Sequence, residues 1–131
     1  MKRLVLDTHV WVWSALDSSR LTAVARAAIL DADAVHVSPI SLYEVTQKAR
    51  LGKWPEIAPH IDALVAESET LPAPLTRAVA ARAGMLDWVH RDPFDRFIAA
   101  SALELRCRLV SKDDEFDALE GMPGWQGRIW A

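Results

Sequence analysis

The chain has 131 residues, 51% of them hydrophobic and 25% charged, with a formal net charge of −3. That length suits one domain over residues 1–131 with a core of its own, and the composition excludes a disordered or low-complexity chain. The mild acidity argues against a protein that coats nucleic acid by bulk positive charge, but leaves room for an acidic pocket with a local basic rim.

Short apolar runs alternate with helical patterns, which predicts an α/β domain with a mainly parallel central sheet. Residues 3–6 read as a first strand and residues 10–16 as a first helix after a tight turn. Thr22 is placed to cap a second, alanine-rich helix running to about residue 32. Residues 35–37 form the next expected strand, followed by a helix over residues 40–51 that Gly52 ends. A helix is expected over residues 59–68, a short strand at residues 70–71, and another alanine-rich helix over residues 76–85, with Pro72 and Pro74 framing the turn. Asp92 as N-cap, Pro93 at the first helical position and Asp95 in the first turn mark a strong helix running to about residue 106. Residues 109–110 and 128–130 complete the strands.

No run approaches the roughly 18 apolar residues that a membrane span requires. Asp7 interrupts the apolar stretch after Met1-Lys2-Arg3, so a secretory leader is not expected. The single cysteine, Cys107, reads as a packing residue and allows no internal disulfide, which suits the cytoplasm. The six tryptophans are dispersed and read as core or interface positions rather than a base-stacking platform.

Four acids stand out by position. Asp7 follows the first strand, where open α/β sheets place ligand sites, although an N-cap also explains it. Glu44 lies in the helix after the second strand, four residues before Lys48, so an ion pair on the surface explains it equally. Helical periodicity groups it with Ile40, Lys48 and Leu51 and leaves its direction open. Asp95 is better marked: it shares a helix face with Ile98, Ala99 and Ala102, which points to a pocket more than a solvated face, with a first-turn acid complementing the helix dipole as the alternative. Asp113 lies just beyond a strand beside Asp114 and Glu115, and a surface acidic turn would look the same. Taken together they put carboxylates near several strand ends without histidine or cysteine at ligand spacing. Oxygen donors of this kind favour Mg²⁺ or Mn²⁺ over zinc, and Mg²⁺ takes phosphate oxygens readily, so phosphoryl chemistry follows. His90, near Asp92 in sequence, could line the site, although a hydrogen-bonded structural role is the favoured reading. There is no GxSxG elbow and no phosphate-cradling glycine loop.

The stretches carrying these acids resemble those of PIN-domain ribonucleases, in particular VapC-type toxins of toxin–antitoxin pairs. Leu6-Asp7-Thr8-His9-Val10 with Trp13 is similar to their first motif. Ser38-Pro39-Ile40-Ser41-Leu42-Tyr43-Glu44-Val45, continuing through Lys48 to Leu51-Gly52-Lys53, is similar to the second. His90-Arg91-Asp92-Pro93-Phe94-Asp95-Arg96 with Ile98-Ala99 is similar to the third, and Leu109-Val110-Ser111-Lys112-Asp113 with Phe116 to the fourth. The motifs keep the family's order along nearly the whole chain. The resemblance implies a three-layer α/β/α fold in which Asp7, Glu44, Asp95 and Asp113 bind Mg²⁺ or Mn²⁺ and support RNA cleavage, often of tRNA or ribosomal RNA. It also implies a homodimer and a VapB-like antitoxin that wraps the toxin and inserts a basic residue into the acidic pocket. Ser111 stands where a threonine is commoner, which keeps the hydroxyl.

Lys48, Arg50 and Lys53, with Arg91 and Arg96 flanking Asp95, are expected to form a basic rim for RNA phosphates, to which Ser111 would add a polar contact, and a solvated charged face explains these cations equally. Two other readings compete. A phospho-acceptor receiver domain has similar size and a lysine after a late strand, as Lys112 is here, but it carries an acidic pair after its first strand, where this chain has Asp7-Thr8. A catalytically inert module of the same fold is the second, and the retention of all four acids argues against it.

Overall fold

The computed structural model describes residues 1–131. Five parallel strands, β1 (Arg3–Leu6), β2 (Ala34–Val37), β3 (Leu71–Pro72), β4 (Arg108–Ser111) and β5 (Arg128–Trp130), lie in the order β3-β2-β1-β4-β5. The chain therefore builds outward from β1 to β3, then crosses to the other side of β1. That reversal opens a crevice beyond the carboxyl ends of β1 and β4, where open parallel sheets bind ligands.

Six α-helices cover the sheet: α1 (Thr8–Leu16), α2 (Ala23–Asp31), α3 (Pro39–Arg50), α4 (Ile61–Val65), α5 (Arg77–Met85) and α6 (Pro93–Leu105). The strands alternate their side chains between two faces. Leu4, Leu6 and Val110 join a core with Val10, Trp11, Ala25, Val45 and Leu64, from α1 to α4. Val5 and Leu109 face the other way, into a second core with Ile98, Ala99 and Ala102 of α6 and with Trp88 and Phe116. Val79 and Ala83 of α5 then pack against Ala100 of α6. The result is the expected α/β/α sandwich. No helix is long and apolar enough to cross a membrane.

The predicted helix starts rest on real caps. Thr22 accepts from Ala25 N, Thr76 from Val79 N, and Asp92 from Phe94 N and Asp95 N. Gly52, just after α3, has φ +69°, a left-handed conformation that L side chains resist. Two expectations need correction. Residues 59–68 do not form one helix: a 3₁₀ turn at Ala58–His60 leads into the short α4, neither with a side-chain cap at its start. The acidic stretch after β4 is also not a simple turn but a 3₁₀ segment, Asp114–Leu119, which buries Phe116 and Leu119. Cys107 follows α6 in the second core, where burial pushes its thiol up to about 11, consistent with packing rather than reactivity.

Candidate active site

The four acids reach one place from four separate segments. A cavity of about 360 Å³ at the carboxyl end of the sheet is lined by Asp7, His9, Trp13, Glu44, Lys48, Asp92, Asp95, Lys112 and Asp113. Asp114, the neighbour that made the fourth position ambiguous in sequence, is exposed and does not line it.

Asp7 is held from two sides. It caps α1, its Oδ1 accepting from Thr8 N at 2.7 Å, while Ser111 Oγ donates to its Oδ2 at 2.7 Å. Its backbone N–H donates to Val110 O, which ties the end of β1 to β4. Only 8% of the residue is exposed. Burial raises the carboxyl above its ordinary value despite the hydrogen bonds from Ser111 and Thr8. The capping explanation and the pocket explanation are thus both true of this one side chain.

Glu44, whose direction periodicity left open, turns inward and is buried. Thr8 Oγ1 lies 2.7 Å from its Oε1 and 2.9 Å from Ser41 Oγ. Lys48 Nζ sits 2.8 Å from Oε2, so the ion pair suggested by the four-residue spacing exists, but at the pocket wall rather than on an open surface.

Asp95 projects from the first turn of α6, with a side chain 16% exposed, and pairs with His90 Nε2 at 2.7 Å. Burial raises its carboxyl to about 7; the His90 contact opposes the shift and the Asp7 and Asp92 charges add to it. Burial works to lower the His90 imidazole, but its hydrogen bond to Asp95 and the charges of Asp95, Glu115 and Asp92 raise it overall. Asp113 takes the Ser111 hydroxyl as acceptor for its own N–H and accepts from Glu115 N through Oδ1. Donor atoms of His90, Asp95 and Asp113 lie within 4.8 Å of one another. The chain thus has a group able to hold a metal ion: carboxylates that cannot all stay charged side by side without a cation, plus one imidazole.

The basic rim is only partly as expected. Lys48 lines the cavity, and Lys53 and Arg91 are exposed. Arg96 does not belong to the rim. Its guanidinium donates to the carbonyls of Ala83, Gly84, Leu86, Trp88 and His90, clamping the segment that carries His90. Five donors in a planar fork suit such a run of carbonyls. Ser111 is fully buried, so it orients Asp7 and does not present a polar contact to a ligand.

Sequence reading missed Lys112, His9 and Trp13 as lining residues. Lys112 Nζ lies 5.1 Å from the Trp13 ring centroid, a cation–π distance. The His9 ring stacks on Trp54 at 4.5 Å and meets Trp13 edge-on, and burial lowers its imidazole. The available signal was spacing: His9 and Trp13 lie one helical turn apart, just past Asp7, and Lys112 sits at a strand end beside Asp113. Trp11 and Trp88 are buried as the core reading of the tryptophans expects, and Trp13 packs against the first core while its edge lines the cavity.

A family model described as PIN domain matches residues 4–122. The chain is 35% identical over 115 residues to Ribonuclease VapC22 of Mycobacterium tuberculosis, covering 86% of this chain and 88% of that protein. The chain is a VapC-type member of the PIN-domain family. This sets aside the receiver-domain reading. Solved structures agree on the fold of this PIN domain. VapBC-5 of Mycobacterium tuberculosis, a member of a toxin–antitoxin family, aligns with a TM-score of 0.70 at 21% identity, over 98% of this chain and 100% of that one. VapBC2 of Rickettsia felis, bound to a promoter DNA fragment, gives 0.71 at 15% identity over 98% and 99%. DNA-bound VapBC of Salmonella typhimurium gives 0.66 at 17% identity over 100% of both chains.

Proposed function

We propose that this PIN domain is a divalent-metal-dependent endoribonuclease and the toxin of a toxin–antitoxin pair, acting in the cytoplasm on structured RNA such as tRNA or ribosomal RNA. The observation that carries this reading is the convergence of Asp7, Glu44, Asp95 and Asp113 on one cavity, with two of the carboxyls raised by burial. Two names support it: the 35% identical relative is called a ribonuclease, and the structural neighbour from Mycobacterium tuberculosis belongs to a toxin–antitoxin family.

Asp7, Asp95 and Asp113 would hold Mg²⁺ or Mn²⁺, with Glu44 completing the acidic wall. A bound ion of this type would orient a water for attack on phosphorus and offset the charge that builds on the phosphate. Ser111 and the Thr8 N–H hold Asp7 in place through both of its oxygens. Lys48 limits the repulsion between Glu44 and Asp7. Asp95, presented from the first turn of α6 and held by His90 Nε2 at 2.7 Å, would serve as a ligand, its charge offset by the bound cation. Lys112 stands at the cavity edge on the Trp13 ring, and Lys53 and Arg91 lie exposed nearby in sequence to the motif acids; these cations would meet the RNA phosphates. The same acidic cavity is the natural seat for a basic side chain from a VapB-like antitoxin, and the toxin would act as a homodimer.

The test is direct. Purified chain free of antitoxin should cleave RNA with Mg²⁺ or Mn²⁺, stop on chelation, and lose activity as Asp7→Asn. Asparagine keeps the N-cap acceptor for α1, so loss of cleavage in a folded variant isolates the carboxylate charge. Metal-independent binding of RNA without cleavage would instead favour an inert module.

A further inference from the structure

We propose that His90 is a nitrogen ligand of the metal centre, which therefore selects a first-row transition ion such as Mn²⁺ over Mg²⁺. The proposal rests on the metal-centre reading above and goes beyond it, since that reading draws on carboxylates alone.

Three observations support it. First, His90 Nε2 points at the acids: it lies 2.7 Å from Asp95 Oδ2, and donor atoms of His90, Asp95 and Asp113 fall within 4.8 Å of one another. Two donors sharing one ion at about 2.1–2.2 Å sit roughly 3 Å apart, so this pair already has the separation that shared ligation requires.

Second, the far side of the ring faces a carboxylate. Glu115 Oε2 lies 3.9 Å from Nδ1. Metal-bound histidines commonly set their second nitrogen toward an acid, which places the proton there and frees the other lone pair for the ion. A neutral ring with its proton on Nδ1 would present Nε2 to Asp95 and Asp113.

Third, the segment holding His90 is built rather than loose. Arg96 donates to the carbonyls of Trp88 and His90, and the Trp88 ring packs at 4.9 Å from the imidazole. The fixed ring is a preorganised donor. An imidazole added to carboxylates shifts preference from Mg²⁺, a hard ion that favours oxygen, toward transition ions. His9 lines the same cavity but stacks on Trp54 and is not within the close donor group, so it serves as the internal control.

The experiment is pulsed electron paramagnetic resonance of Mn²⁺ added to the intact chain, with and without ¹⁵N-labelled histidine, and Mg²⁺ competition read by the same signal. The expected result is bound Mn²⁺ with a histidine nitrogen coupling that changes on labelling, persists in His9→Gln and disappears in His90→Gln. In His90→Gln, Mn²⁺ affinity should fall about 10–100-fold, and less Mg²⁺ should displace the ion. Bound Mn²⁺ without nitrogen coupling in the unsubstituted chain would overturn the role of His90 while leaving the carboxylate centre standing. Loss of the coupling in His9→Gln would overturn it by giving the nitrogen to His9. Absence of any bound Mn²⁺ would overturn both this inference and the metal-centre reading. The labelled unsubstituted chain and His9→Gln decide the matter even if His90→Gln folds poorly.

Discussion

Replacing Asp95 by asparagine should make the metal-free protein more stable at alkaline pH. The Asp95 carboxyl is raised from 3.8 to about 7. An acid whose folded value exceeds its unfolded one binds more protons when folded, so stability falls as pH rises between the two values. At about 1.4 kcal/mol per unit, the loss is about 4 kcal/mol over the full window, of which roughly 3 kcal/mol falls between pH 5 and pH 8. His90 acts in the same sense: its raised imidazole contributes while protonated and loses that contribution as pH rises through its folded value. The side chain of Asp95 is 16% exposed, so solvent screening reduces these figures only modestly. Urea denaturation in chelator at pH 5 and pH 8 measures the effect. The unsubstituted chain should lose stability across that interval, and Asp95→Asn should lose much less and be the more stable of the two at pH 8. A stability that does not fall with pH, or one that falls equally in Asp95→Asn, would refute the argument that burial and the Asp7 charge strain this carboxylate.

Ser111→Ala removes the hydroxyl that holds Asp7 Oδ2; Mn²⁺ affinity by calorimetry should drop about 10–100-fold, and Ser111→Thr should retain it. Arg96→Ala should cost about 2–4 kcal/mol in urea denaturation by stripping five carbonyls of their donor, and a loss of RNA affinity without loss of stability would return Arg96 to the rim. Charge reversal at Lys112 and Lys53 should weaken RNA binding in catalytically silent Asp7→Asn and flatten its salt dependence by about one phosphate contact per effective residue; an unchanged slope would remove those lysines from the interface.

Much of the fold was legible because caps and periodicities act locally. Thr22 and Asp92 cap where expected, and the alternation of Leu4, Val5 and Leu6 between two cores is what a central parallel strand requires. Between residues 59 and 68 no side chain caps a helix start and only the short α4 forms, while the acidic stretch after β4 buries Phe116 in a 3₁₀ segment. The acids were readable as candidates but not as a site, because each also fulfils a local role: Asp7 caps α1 and Glu44 pairs with Lys48. Their convergence depends on strand order, which no local pattern encodes. Arg96 was misread for the same reason. Its partners run from the last turn of α5, at Ala83 and Gly84, into the irregular segment up to His90, and a charge count cannot tell an arginine facing solvent from one facing carbonyls.

The most direct measurement of the central claim is RNA cleavage by the purified, antitoxin-free chain, titrated with Mn²⁺ or Mg²⁺ and compared with folded Asp7→Asn. The account predicts cleavage that requires the ion, is abolished by chelator and is lost to background in the variant. Cleavage that persists in chelator, or that Asp7→Asn performs at the unsubstituted rate, would contradict it.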